Sequence, residues 1–115
     1  MAFNLDMKKR FRIRKNEEFS SIISLKRSVA SAVFVIYHSH KKEDIARVGI
    51  SVSKKLGNAV IRNKIKRQVR EMAKALIDFE NYPEDVIIIV RKPYLGRRFA
   101  DNKNDLEIAL KKAII

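Results

Sequence analysis

The sequence predicts an α+β fold: one mixed sheet with helices packed on it, in the element order α-β-β-α-β-α. Three observations carry that prediction. Residues 31–38 and 46–53 alternate apolar with small or polar side chains, the period of a strand. Residues 59–76 place Ile61, Ile65, Val69, Met72 and Leu76 on one stripe at about 100° per residue, the period of a helix. Residues 86–91, VIIIVR, form the continuous apolar run of a strand buried on both faces. Strand, helix and strand from 46 to 91 make a βαβ crossover, so the third strand is expected parallel to one of the first two. At 115 residues the chain is read as one domain, 1–115, with no internal repeat.

Taken in order, residues 1–15 carry Lys8, Lys9, Arg10, Arg12, Arg14 and Lys15, interleaved with Phe11 and Ile13. Two readings stand: a solvated basic arm, or a phosphate-contacting segment that orders on binding. Asn16 is the expected cap of a first helix running to about Lys26, with Glu17 and Glu18 in the first turn, where the dipole favours acids. Phe19, Ile22 and Ile23 share a face, read from periodicity as core.

In 31–38, Phe34 and Ile36 point one way and Val33, Val35 and Tyr37 the other. In 46–53, Val48, Ile50 and Val52 oppose Arg47, Gly49, Ser51 and Ser53. These two strands are expected to pair as an antiparallel hairpin across the polar connection 39–45. Its polar face is either plain water-exposed sheet or an open positive surface on which Tyr37 offers a ring for stacking.

Gly57-Asn58 is the turn into the long helix, with Asn58 its cap. Asp78 to Asp85 reads as a solvated acidic loop. Lys92-Pro93 ends the third strand. Residues 94–103 are expected as a loop, and Asn104 with Glu107 as the capping pair of a last helix packing Leu106, Ala109, Leu110, Ala113 and Ile114.

Charge narrows the partners. Net charge is +13, from 26 Lys and Arg against 13 Asp and Glu. Nucleic acid is the first partner this implies and an anionic membrane surface the second. There is no cysteine, and His38 and His40 are the only histidines, so a zinc site is not expected. No apolar run approaches a membrane span, and Asp6 interrupts the apolar start at Phe3 and Leu5, so a soluble cytoplasmic protein is expected.

No nucleophile, acid–base pair or phosphate loop emerges. The long helix is the strongest signal instead. From Lys54 to Lys74 there are eight basic residues and one acid, Glu71. Arg62, Lys66 and Arg70 form one row beside the apolar stripe, and Asn63, Arg67 and Lys74 a second. Like charges at this spacing repel, so the face is suited to a polyanion. A basic helix after a strand, beside a stacking surface, fits RNA better than a DNA groove.

The run GISVSKKLGNAVIRNKIKRQVRE resembles the signature of the bacterial ribonuclease P protein subunit: a SVSKK strand end, a GNAV turn and a basic helix of the R-N-R-x-K-R type. KNEEF, VFVIYH and DVIIIVRK are similar to that family in the same order. Lys64 stands where the motif usually has its second Arg, keeping the charge but not the bidentate geometry.

The resemblance implies an αββαβα sandwich with a left-handed βαβ crossover, as in a domain of one ribosomal protein. It implies a ribonucleoprotein enzyme that removes the 5′ leader of precursor tRNA, with the catalytic centre in the RNA and Mg²⁺ bound mainly there. Expected partners are the catalytic RNA and precursor tRNA, not DNA and not a membrane. Carried over by position, Arg62, Asn63, Lys64, Lys66, Arg67 and Arg70 contact the RNA subunit. Phe19 and Tyr37, with Val35, Arg47, Ser51, Ser53 and Lys55, line a leader cleft. The rival classes are a self-sufficient protein nuclease and a general RNA-binding or ribosomal protein.

Overall fold

Four strands form one mixed sheet in the order β1-β2-β4-β3: Ser28–Ala30, Phe34–His40, Glu84–Val90 and Val48–Val52 respectively. Three helices pack on it: α1 (Asn16–Ser24), α2 (Ala59–Leu76) and α3 (Phe99–Lys112). The coordinates are a computed structural model describing residues 8–115. The expectation resting on Phe3, Leu5 and Asp6 lies outside the described residues.

The expected hairpin of the second and third strands does not form. β4 lies between them, antiparallel to β2 and parallel to β3. The reason is burial: β4 is the most apolar strand, and the central place sets it between α2 and α3 on one face and α1 on the other. The short β1 was not anticipated; it pairs antiparallel with β2, Val29 opposite Ile36.

Phe34, Ile36, Val48, Val52, Val86, Ile88 and Val90 form the main core with Ile65, Val69 and Met72 of α2 and Leu106, Ala109 and Leu110 of α3. The opposite sheet face carries α1 through Ile22, which with Ile13 and Ile87 makes a second, smaller cluster.

The hand of the β3-α2-β4 crossover follows from two hydrogen bonds. The Arg47 carbonyl accepts from Val86 N–H of β4, whereas the Val48 carbonyl accepts from Ile13 N–H on the outer edge. Val48 is also a residue facing α2. For an L-residue running upward with its side chain toward the viewer, N–H and C=O point right. Ile13 is therefore right of β3 and β4 left of it, with α2 in front. A crossover advancing leftward in front of the sheet is left-handed, against the usual preference.

Local details correct several boundaries. Asn16 is the first helical residue, not the cap, and α1 ends at Ser24 with Lys26 at φ 57°. β4 begins at Glu84, so Glu84 and Asp85 are buried rather than part of a solvated loop. Glu84 accepts from Arg27 at 3.1 Å and meets His38 Nδ1 and His40 Nδ1, each at 2.8 Å. α3 starts at Phe99, so Asn104 lies inside the helix. The neighbouring Asp105 holds the β1–β2 turn, accepting from Ser31 Oγ (2.6 Å), Val33 N–H (3.0 Å) and Ala32 N–H (3.2 Å). Leu106, Ala109, Leu110 and Ala113 are buried as expected, while Ile114 is exposed.

The basic N-terminal segment is docked from Phe11 onward. Phe11 stacks on Phe79 at 4.4 Å, Arg12 bridges to Val48 in parallel, and Ile13 is buried. Among the described residues, no helix is long and apolar enough to cross a membrane.

Candidate nucleic-acid interface

Two surfaces carry the chemistry, one on each face of the sheet. The first is α2. Asn58 Oδ1 accepts from Ile61 N–H at 3.0 Å, which starts the helix as expected. Gly57 before it holds φ +146°, a conformation that side-chain-bearing residues rarely adopt. Ile65, Val69, Met72 and Ala73 are buried against the sheet. The helical period then forces Asn63, Lys64 and Arg67 into solvent, with Arg62, Lys66 and Arg70 half-buried along the flank. Arg62 Nε also donates to the Gly57 carbonyl at 3.2 Å, so it braces the turn as well. Tyr94 OH donates to Gln68 Oε1 at 2.7 Å and ties the helix to the chain after β4.

The second surface is built from rows across the strands. Tyr37, Ile87 and Gly49 are in register, and Phe19 of α1 lies over this row. A Cβ on Gly49 would stand 2.6 Å from Phe19 Cζ, so the aromatic ring rests on bare backbone. The next row, Val35, Ile89 and Ser51, is half-buried and forms an open floor beside α1. Ser53 and Lys55 are exposed just past the end of β3, where Ser53 Oγ accepts from Lys55 N–H at 3.2 Å.

The structure thus brings together Phe19, Val35, Tyr37 and Ser51 and places Ser53 and Lys55 at the rim. Phe19 packs against the second core cluster and still keeps partial exposure, so the two readings of it are compatible. Arg47 is different. It is buried, with Nη2 2.7 Å from Glu18 Oε2 and 3.5 Å from Asp85 Oδ2. The Arg47 hydrogen bond holds the Glu18 carboxyl below its usual range, and the same bond raises the guanidinium. Burial pushes Asp85 up, against the pull of Arg47. The expected cationic contribution of Arg47 to the cleft is therefore neutralised by its own carboxylates.

Ile89 was missed because VIIIVR reads as buried on both faces, whereas Ile89 is half-buried and Arg91 exposed. The docked N-terminal segment was missed as well. Arg12 and Arg14 line a groove of about 290 Å³ at the β3 edge together with Phe19, Ile50 and Arg70. The basic helix and the floor therefore approach each other around that edge.

For Mg²⁺ the residues present do not fit. Glu84 and Asp85 are occupied by Arg27, His38, His40 and Arg47. Among the described residues no group of three His, Cys, Asp or Glu could hold a metal ion.

The sequence profile described as Ribonuclease P matches residues 7–114. The chain belongs to the ribonuclease P protein family. It is 41% identical over 111 residues to the ribonuclease P protein component of Bacillus cereus, covering 96% of this chain and 93% of that one. Among solved structures, a mutant of the Staphylococcus aureus RNase P protein superposes with a TM-score of 0.82 at 44% identity, covering 92% of this chain and 90% of that chain. The RNase P protein from Thermotoga maritima gives 0.76 at 30% identity, covering 88% and 96%. The α+β architecture is the one the family shares.

Proposed function

We propose that this chain is the protein subunit of a ribonuclease P particle. In this role it binds the catalytic RNA and the 5′ leader of precursor tRNA, and so assists Mg²⁺-dependent endonucleolytic removal of the leader. The observation that carries the reading is the separation of two RNA-suited surfaces: a cationic helix on one sheet face and an aromatic floor on the other. The RNA would supply the catalytic centre and hold the Mg²⁺ ions, whose chemistry would be that of metal-assisted phosphodiester hydrolysis, while this chain's residues bind and position RNA.

Arg62, Lys64, Lys66, Arg67 and Arg70 bind the RNA subunit by neutralising phosphates, a contact that weakens with salt, and Asn63 binds it by hydrogen bonding. Phe19 and Tyr37 offer ring faces to single-stranded bases, while Val35 and Ile89 supply apolar floor and Ser51, Ser53 and Lys55 polar contacts. Stacking accepts any base, which suits leaders of varied sequence, and contributes about 1–3 kcal/mol per base. Leader contacts exist only in the precursor. Seating one base therefore favours precursor over mature tRNA by about tenfold.

The test is equilibrium binding by the particle reconstituted from this protein and a ribonuclease P RNA. Affinity should rise as the leader lengthens from none to several nucleotides. Leader-independent affinity would favour a general RNA-binding protein. Incubating the protein alone with precursor tRNA and Mg²⁺ should give no cleavage; cleavage there would favour a protein nuclease.

A further inference from the structure

We propose that Arg47 is a positioning residue: its ion pair with Glu18 is a strut that sets α1, and with it Phe19, at a fixed height over the cleft floor. This rests on the leader-binding reading and assigns Arg47 a role other than RNA ligand.

Beside this ion pair, α1 meets the sheet through apolar contacts, made by Phe19, Ile22 and Ile23 against Ile87 and Tyr37. Apolar contact is non-directional, and the backbone bonds of Ile13 to Val48 and of His38 to Arg27 hold only the chain on either side of the helix. The Arg47 guanidinium supplies the missing direction. It lies between Glu18 Oε2 at 2.7 Å and Asp85 Oδ2 at 3.5 Å. Asp85 is fully buried in the central strand, and its Oδ1 accepts from Arg47 N–H at 2.9 Å, so the anchor end is fixed at two points. Glu18 directly precedes Phe19 in α1, so the strut ends on the same helical turn that carries the ring.

The arrangement also engages Arg47 away from RNA: it is 8% exposed, its Nη2 is taken by Glu18 and its Nε is buried without a hydrogen-bond partner. Lys15 and Lys42 face Glu18, and Glu43 faces Arg47, while the Arg47–Glu18 contact joins helix to sheet at bonding distance.

The two roles predict opposite signs for one substitution. Glu18→Ala leaves every cation in place and raises the net charge by one. If Arg47 were a leader ligand, freeing it would strengthen leader binding. As a strut, its release loosens α1, and Phe19 must be ordered on binding, so the leader-dependent gain falls about threefold to tenfold. Affinity for mature tRNA and assembly with the RNA subunit stay unchanged.

The reconstituted particle is assayed with precursor and mature tRNA, and thermal unfolding confirms that each variant is folded. Should Glu18→Ala not fold, Glu18→Gln, which keeps an acceptor of the same shape, is compared in its place with a smaller loss of the same sign. A leader gain that survives or increases overturns the strut alone. Absence of any leader gain in the unsubstituted particle overturns the leader-binding reading, and the strut with it.

Discussion

Gly49→Ala perturbs the ring seat from below. The new Cβ would stand 2.6 Å from Phe19 Cζ, 3.0 Å from Phe19 Cε2 and 2.9 Å from Ile87 Cδ1. Carbon atoms at ease are about 3.5–4.0 Å apart, so roughly 1 Å must be found. Ile87 is fully buried in the central strand and has nowhere to retreat. Phe19 is half-exposed, so the ring lifts. Overpacking of this kind costs about 1–3 kcal/mol. Alanine recovers about 0.5–1 kcal/mol of that, because it loses less backbone freedom than glycine in a strand. The expected net loss is about 1 kcal/mol, read by urea unfolding at unchanged m-value. The same variant should lose at least about threefold of the leader-dependent gain in the particle, because the ring no longer sits at its native height. Leader gain at the native level in a folded Gly49→Ala protein would refute the reasoning, and so would a rise in stability.

Arg67→Ala should weaken assembly with the RNA subunit and lower the slope of log affinity against log salt by about one, while unfolding is unchanged because Arg67 is exposed. Salt-titrated binding reads this, and an unaltered slope would remove Arg67 from the phosphate contacts. Asp105→Ala strips the β1–β2 turn of its acceptor for two backbone N–H groups and one hydroxyl, and should cost about 1–3 kcal/mol in urea unfolding. Glu18 has its folded pKa depressed below the ordinary 4.5, chiefly by the Arg47 hydrogen bond, so its stabilisation is present above that value and lost as pH falls through the folded pKa. Asp85, raised from 3.8 by burial, acts with the opposite sign, gaining a proton in the native state first. The stability difference between the unsubstituted protein and Glu18→Ala should therefore shrink as pH falls below the ordinary glutamate value of 4.5, and a difference that stays constant on acidification counts against the pair.

The contrast between α2 and the sheet shows what a sequence can carry. A helix is a local object: its cap at Asn58 and its buried stripe at Ile65, Val69 and Met72 follow from spacing within one segment. The basic residues of α2 were legible for the same reason, since the stripe that goes inward settles which residues stay outside. The floor of the cleft is non-local. That Ile89 lies between Val35 and Ser51 depends on β4 sitting between β2 and β3, and no residue of β2 or β3 encodes that order by itself. Asp85 and Glu84 read as loop acids because their partners, Arg47, Arg27, His38 and His40, come from distant segments.

By itself the sequence determined the α+β class, the strongly basic helix and, through its motif, the family, because these rest on short-range periodicity, charge and a contiguous signature. Only the tertiary structure decided the strand order, the docking of residues 11–13 along β3 and the tying of Arg47 to Glu18 and Asp85. The physical reason is that a charge seen in sequence has no sign of availability. Whether Arg47 meets RNA or a carboxylate is settled by which strand lies beside it, and that is a consequence of how the whole chain buries its apolar surface.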